Sequence, residues 1–425
     1  MHLSGQTPLF RAKKLEKYLG VETVYLKLEG TNPTGHKNDR IAESLVKYAI
    51  SKGFSKVLIQ GSERYLMSIL YFANYLGVEA FAPVTKERYS KSKKQMNVSW
   101  LKIDNKKGQN EDELFEQYAI EHNMFFTSEW EKKPFIRNLA VQQMMQEALV
   151  KLEAPTAVWS QINGGYTIKS IYEELMRNWV NGSLESLPEI HCGIDEKLEQ
   201  ALIENTAHAA VGQPESRIES IQGALKTTQA KIHIVTNEEL KETVKLIKTL
   251  ENVTITANEA YSLAAFIKCE NYVNGTHIIF LNDGKSDIKI QEISKEKNLD
   301  LENIVAETRK LLEPYNDSYE ETIDAVNKAV KMGFIFKATR KDEIQGICII
   351  VHMGFERFIP TYHLAYIGVL KGNSGRGVAT ELINQALEKT NGLLSLHVDI
   401  PNKSAKKLYE KMGFVHCYDR MLYKG

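Results

Sequence analysis

LAYIGVLKGNSGRGVATELINQALEK, residues 364–389, sets out strand, tight loop and helix in that order. The run Leu364 to Leu370 is rich in branched and aromatic residues, the loop Gly372 to Gly377 carries three glycines, and helical periodicity starts near Val378. In this arrangement the free amides of the helix's first turn converge on one spot, where the helix dipole favours an anion. Glycine lets the backbone pass close to such a group. A loop of this kind alone also suits an ordinary strand-to-helix turn, so a second element matters. VDIPNKSAKKLYEKMGF, residues 398–414, follows one strand later and brings Asn402, Ala405, Tyr409, Gly413 and Phe414 in register.

Upstream of this pair, two polar helical segments, Leu301 to Leu312 and Tyr319 to Met332, precede three closely spaced strands: Phe334 to Thr339, Ile344 to Met353 and Tyr362 to Leu370. Residues 286–297 open this pattern with a strand of their own. Before residue 286 the rhythm differs. Apolar runs at Val24 to Glu29, Lys56 to Gly61, Ala80 to Thr85 and Ala157 to Ile162 alternate with amphipathic segments at Asp39 to Ser51, Ser68 to Leu76 and Phe135 to Leu152. Strands apolar on both faces alternating with helices predict a parallel sheet covered on both sides. The chain therefore divides into residues 1–286 and 287–425, α/β throughout.

With 54 basic against 54 acidic side chains in 425 residues, there is no net field to hold nucleic acid or an anionic membrane surface. A content of 43% hydrophobic and 25% charged residues is that of an ordinary soluble protein and excludes collagen-like, coiled-coil and disordered readings. No apolar stretch is long enough to span a bilayer, and MHLSGQTPLF lacks the basic region and apolar core of a signal peptide. The four cysteines, Cys192, Cys269, Cys348 and Cys417, form no CxxC pair and no His/Cys cluster. That argues against a zinc site or a disulfide framework and predicts a cytoplasmic chain with reduced thiols.

The two C-terminal segments together resemble the GNAT acyltransferase superfamily, whose members bind acetyl-CoA at a strand, a (Q/R)xxGx(G/A) loop and a helix, followed by an NxxAxxLYxKxGF segment. The loop here reads Ser374-Gly375-Arg376-Gly377-Val378-Ala379, with Ser374 where Gln or Arg is usual, and Asn402 to Phe414 fits without gaps. The resemblance implies a GNAT mixed α/β domain over residues 287–425, with acetyl-CoA as its cofactor. By position, the amides of Gly375, Gly377, Val378 and Ala379 would hold the pyrophosphate, Arg376 and Thr380 would also bind the cofactor, Val369 would pair with the pantetheine arm, and Asn402 would hold that arm. Tyr409 stands where the family often keeps the phenol that protonates the departing thiolate, a role suited to a pKa near that of a thiol. Its plainer role is to pack the last helix. His363 occupies a strand position where members often carry a glutamate and is the candidate base for the amine, with Glu356 and Asp399 behind it.

The opening of the chain resembles threonine synthase and the other fold type II pyridoxal-phosphate (PLP) enzymes. Gly5-Gln6-Thr7-Pro8-Leu9, Lys27-Leu28-Glu29-Gly30, Asn32-Pro33-Thr34-Gly35 and Asp39-Arg40 carry the likeness, and residues 237–268 match the family's final α/β unit. The fold implied is a two-lobed α/β domain over residues 1–286. The family's chemistry needs a lysine for its internal aldimine. Aligned without a gap, that position is Asn38; Lys37 comes one residue early, which in a helix is about 100° of rotation away. The family's ring-facing SGN(T/H)G loop becomes Ser62-Glu63-Arg64-Tyr65-Leu66, and its late threonine becomes Asn282, followed by Asp283. The phosphate loop is partly kept as Asn163-Gly164-Gly165-Tyr166-Thr167. These changes predict a domain that has lost PLP catalysis, in which Gly164, Gly165, Thr167 and Arg64 could still hold a carboxylate or phosphate.

Together the two resemblances imply an acetyl-CoA-dependent N-acetyltransferase acting on a primary amine of a small molecule, an amino-acid-like compound or a peptide. Attack would be direct, because Cys348 and Cys417 sit in no His/Asp constellation. The first domain would serve as scaffold or substrate-recognition module. The alternative is a PLP-dependent lyase or threonine synthase-like enzyme with an accessory GNAT domain. A third reading is a non-catalytic acyl-CoA sensor. The fold type II likeness implies a homodimer.

Overall fold

The apolar runs of the first domain pair as parallel strands, because both their faces are covered and neither needs a polar stripe. In the computed structural model the described residues are 3–83, 98–102, 111–129, 135–152, 154–162, 164–204, 215–270, 274–286, 288–296, 298–315, 317–340, 342–355, 360–371 and 378–417. The chain forms two compact units, Met1–Ser286 and Asp287–Gly425.

In the first unit, a six-stranded sheet runs in the order β1 (Leu9–Arg11), β2 (Thr23–Leu28), β11 (Thr276–Leu281), β7 (Ala157–Gln161), β8 (Glu189–Ile194) and β9 (Lys231–Ile234). All its pairings are parallel except that of β1 with β2. A parallel four-stranded sheet has the order β5 (Ser99–Leu101), β4 (Glu79–Pro83), β3 (Lys56–Gln60) and β6 (Phe125–Ser128). A short ribbon joins β10 (Val253–Thr254) to β12 (Lys285–Ser286). One apolar core, including Val57, Ile59, Val158, Ile190 and Ile278, lies between the two larger sheets and the helices Asn38–Ser51, Glu63–Tyr75, Phe135–Leu149 and Tyr166–Val180. The helix Glu63–Tyr75 starts five residues before the expected Ser68, because the Ser62 side chain accepts from the Tyr65 amide and Glu63 suits the first turn.

In the second unit, β13 (Lys289–Glu292), β14 (Phe334–Arg340), β15 (Glu343–His352), β16 (Tyr362–Val369) and β17 (Leu394–Leu396) form one sheet. Neighbours are antiparallel up to β16, and β17 is parallel to β16. Helices Leu301–Leu312 and Tyr319–Met332 pack on one face; Val378–Lys389 and Lys403–Lys411 pack on the other. Both polar helices begin at side-chain caps, Asp300 for the first and a Ser318/Glu321 capping box for the second, so the predicted boundaries and the observed ones coincide.

Candidate functional sites

In the first unit, the helix Tyr166–Val180 starts on Gly165, held at φ 80°. A Cβ there would stand 2.7 Å from the Ser220 carbonyl oxygen, so both conformation and space require glycine. Gly164, Gly165 and Thr167 thus meet at one helix start, while Asn163 lies outside the described residues.

Lys37 reaches this loop. Its buried side chain sends Nζ to the Tyr166 hydroxyl at 2.9 Å and to Thr167 Oγ1 at 2.9 Å. The same Nζ lies 4.6 Å from the centroid of the Tyr166 ring. The expectation that Lys37 is turned away is therefore corrected. The helix begins only at Asn38, so Lys37 stands before its first turn, and its backbone amide is pinned to the Asn282 carbonyl at 2.9 Å. Arg137 adds a second cation, 5.1 Å from the Tyr166 centroid and 5.9 Å from that of Tyr65.

Beside Lys37, His36 Nε2 faces Glu259 at 3.6 Å, and Asn282 Nδ2 donates to the same carboxylate at 2.7 Å. Burial alone would raise the Glu259 carboxyl, but His36, Asn282 and the charge on Lys37 leave it below the ordinary carboxylate value. Arg64 does not join the glycine loop. It donates to Asp283 at 3.2 Å and Thr256 at 3.5 Å, and Thr256 Oγ1 donates to Asp283 at 2.7 Å. Tyr65 is buried, with its hydroxyl 2.5 Å from Thr127 Oγ1. His36, Thr256 and Glu259 are not among the residues the sequence analysis singled out. Their signal was position alone, His36 directly after Asn32-Pro33-Thr34-Gly35 and Thr256 and Glu259 inside the family-like stretch 237–268.

Three residues past Lys37, Arg40 anchors the helix in a buried charge cluster. It donates to Glu29 at 2.7 Å and Glu147 at 2.6 Å, and Lys27 donates to Glu147 at 2.6 Å. Burial pushes the Glu29 carboxyl up, but Arg40 and Lys27 outweigh it and hold that carboxyl down at about 2.

In the second unit the decisive feature is where a strand pair stops. Among the described residues β16 and β17 pair at Tyr362, His363 and Leu364, opposite Leu394, Ser395 and Leu396. β16 then runs on to Val369, paired on its other side with Gly346 of β15. Leu370 donates to the Gln345 carbonyl at 2.9 Å, so by antiparallel alternation the backbone groups of Val369 point away from β15 and into the opening. A chain of amides and carbonyls entering there would find an unpaired strand edge.

Tyr409 lies in the core on the face of helix Val378–Lys389, with Cys348, Leu364 and Val378, and makes an edge contact with Phe414 at 6.0 Å. Burial pushes its phenol up to about 12, so the hydroxyl keeps its proton at neutral pH. Cys348 is buried and its thiol is raised by the same cause, which makes it a poor nucleophile. Asn402 caps the helix Lys403–Lys411, its Oδ1 accepting from the Ala405 amide at 3.1 Å. Val378, Ala379 and Thr380 form the first turn of the helix Val378–Lys389. Gly375, Arg376, Gly377 and Glu356 lie outside the described residues. His363 is bonded on both ring nitrogens: Nδ1 is 2.9 Å from Ser395 Oγ, and Nε2 is 2.9 Å from Nδ1 of His397. His397 was not singled out in the sequence; its one signal is its place just before the Val398 to Phe414 segment. Asp399 is exposed, two residues further on.

The model of the pyridoxal-phosphate dependent enzyme family matches residues 1–284. The chain belongs to that family. The model of the acetyltransferase (GNAT) family matches residues 299–414, so this family member carries a GNAT domain after its PLP-type domain. Threonine synthase of Methanocaldococcus jannaschii is 56% identical over 36 residues, 8% of this chain and 9% of the relative. Cystathionine beta-synthase of Saccharomyces cerevisiae is 50% identical over 52 residues, 12% of this chain and 10% of the relative. The chain thus spans about a tenth of the length of the curated relatives it matches. Among solved structures, serine racemase from Dictyostelium discoideum superposes with a TM-score of 0.52 at 16% identity, covering 67% of this chain and 94% of the racemase. Threonine deaminase from T.th. gives 0.52 at 18% identity, again covering 67% and 94%. At these identities the likeness is one of fold. No helix among the described residues is long and apolar enough to cross a membrane.

Proposed function

We propose that this member of the PLP-type family works through its GNAT domain, as an acetyl-CoA-dependent N-acetyltransferase of a primary amine. The observation that carries the reading is the opening between β16 and β17, with the unpaired edge at Val369, the helix start at Val378 and a protonated phenol at Tyr409. Acetyl-CoA is the substrate that brings the thioester. Val369 pairs with its amide-bearing arm, and the amides from Gly375 to Ala379 hold its pyrophosphate. The amine's lone pair bonds to the thioester carbon, the C–S bond breaks, and Tyr409 gives its proton to the sulfur and takes one back from the nitrogen. Binding both reactants side by side supplies most of the advantage. The buried Cys348 supports a route without a covalent intermediate. That no disulfide joins the cysteines among the described residues supports a cytoplasmic location.

In this reading the first domain is a scaffold or recognition module, and its residues do not fit PLP held as a Schiff base. An amide, Asn38, stands at the lysine position. Lys37 is engaged by Tyr166 and Thr167, the hydroxyls of the phosphate loop, and Tyr166 itself lies against Lys37 and Arg137. Gly164, Gly165 and Thr167 with Lys37 form a cationic helix start suited to a carboxylate, as an amino-acid-like acceptor would offer. A homodimer belongs to the same proposal.

Calorimetry of the full chain with acetyl-CoA, with PLP added in parallel, tests this. Binding that is lost in Gly377→Glu, with no Schiff-base absorbance, is the expected result. A yellow adduct on Lys37 without acetyl-CoA heat would overturn it in favour of the PLP lyase.

A further inference from the structure

His363 is the residue whose type and strand position suggested the base for the acceptor amine, yet both its ring nitrogens are already engaged. The polarity of these bonds can be read outward from the backbone. The Ser395 hydroxyl donates to the Tyr362 carbonyl at 3.3 Å, so its oxygen accepts from Nδ1–H of His363. The neutral His363 tautomer therefore carries its proton on Nδ1, and Nε2 accepts from Nδ1–H of His397. The two rings lie 4.5 Å apart at 54°. His363 is half-buried, and His397 is exposed to solvent.

We propose that His363 and His397 act as a single proton-accepting dyad for the acceptor amine, with Ser395 fixing its tautomer. This deepens the acetyltransferase reading and rests on it. The location supports the role, since His363 pairs with Ser395 one residue before the β16/β17 pairing ends, so the dyad stands at the head of the opening. A proton taken from the acceptor's ammonium goes to Nε2 of His397, and the charge is shared across the 2.9 Å nitrogen pair as Nδ1–H of His397 becomes a charge-assisted donor to Nε2 of His363. Two imidazoles this close titrate as one unit, because the second proton meets the first charge. The amine, now neutral, forms the C–N bond; Tyr409 gives its proton to the sulfur and regains one from the amide nitrogen as the intermediate collapses. The remaining proton leaves to water through exposed His397. One proton is released per acetyl group transferred, and no oxidant or second co-reactant is needed. Around the dyad, β15 presents apolar Val351 opposite His363; His352, which faces Tyr362, follows Val351 on the same strand, and exposed Asp399 comes two residues past His397.

The test compares the full chain with His397→Asn and His363→Gln, using acetyl-CoA and a panel of the twenty standard amino acids, spermidine and kanamycin as acceptors. Asparagine keeps a donor toward His363 but does not titrate. His397 is exposed, so that variant folds even if the other does not. The expected result is unchanged acetyl-CoA affinity and about a 100-fold fall in kcat/KM at neutral pH for each variant. The double variant falls no further than either single one, and the acidic limb of the pH profile moves in His397→Asn. Ring-nitrogen NMR of the native chain should show the two histidines titrating together. Acetyl-CoA binding with an unmoved pH profile in His397→Asn, or independent titration of the two rings, overturns the dyad alone. A native chain that binds no acetyl-CoA overturns the acetyltransferase reading and the dyad's role with it.

Discussion

The loop at Gly164–Thr167 and the opening beside Val369 are both built from a strand end and a helix start, and they treat their polar groups in opposite ways. In the first unit the chain answers its own donors: Lys37 with Tyr166 and Thr167, Arg64 with Asp283, Asn282 with Glu259. In the second, β17 stops pairing after Leu396 and, among the described residues, leaves an edge of β16 unanswered. A donor already bonded inside a protein contributes to folding and loses more than it gains by turning to a ligand. An unpaired edge costs stability until something binds to it. The same elements are therefore closed on their own side chains in one place and open in the other, so a carboxylate at Gly164–Thr167 must join contacts that Lys37 already makes.

The largest effect that would sharpen this contrast is in stability. Arg40→Met takes away the guanidinium that pairs with both buried Glu29 and Glu147, and removing one partner of a buried ion pair costs about 3–5 kcal/mol. All four tryptophans lie within residues 1–286, so urea unfolding followed by tryptophan fluorescence reports on this unit alone. A loss below about 1 kcal/mol would mean that the cluster does not hold the helix in place.

Tyr409→Phe should do the reverse. It keeps the ring in its core position, so stability moves little, while kcat falls by about 100-fold and the affinity for acetyl-CoA holds. An unchanged kcat would return Tyr409 to a packing role.

Acid should weaken the first unit through a group that neither site uses. His191 stacks on Trp159 with centroids 4.0 Å apart and bonds His233 at 2.9 Å. Burial holds its pKa down at about 4, helped by the charge of His233 and opposed by Glu189. Because the folded value lies below the unfolded one near 6.5, the unfolded chain binds the extra proton in between, so stability falls as pH drops from about 6.5 to 4. The loss is on the order of 1–3 kcal/mol. Tryptophan-monitored unfolding of His191→Phe should show a flatter pH dependence in that window; an equal slope would assign the effect elsewhere.

The smallest effect belongs to Lys37→Met. The ammonium is buried against neutral hydroxyls, and methionine has nearly its shape, so stability should change by about 1 kcal/mol or less. Acetyl transfer to an amine lacking a carboxylate should be untouched. If PLP binding to the native chain proved measurable and Lys37→Met abolished it, the first site would be open after all and the contrast would break.

Much of this molecule was legible in the sequence because its signals are local. Periodicity gave the helices Leu301–Leu312 and Tyr319–Met332 to the residue, since their caps at Asp300 and Ser318 are chemical marks at fixed spacing. The change of pattern near residue 286 coincides with the division between the two units. Motif spacing led to both families, because glycines and helix starts that cradle an anion need a set order along the chain. What spacing could not supply was direction and partnership. Lys37 was read as turned away because rotation was counted from a helix that in fact begins one residue later. His363 was read as a lone base because His397 directly follows another strand, brought within 2.9 Å by the pairing of β16 with β17. A side chain's bonded neighbours are fixed by strand register and by where pairing stops, and these depend on contacts far apart in the chain. Only the tertiary structure decides them.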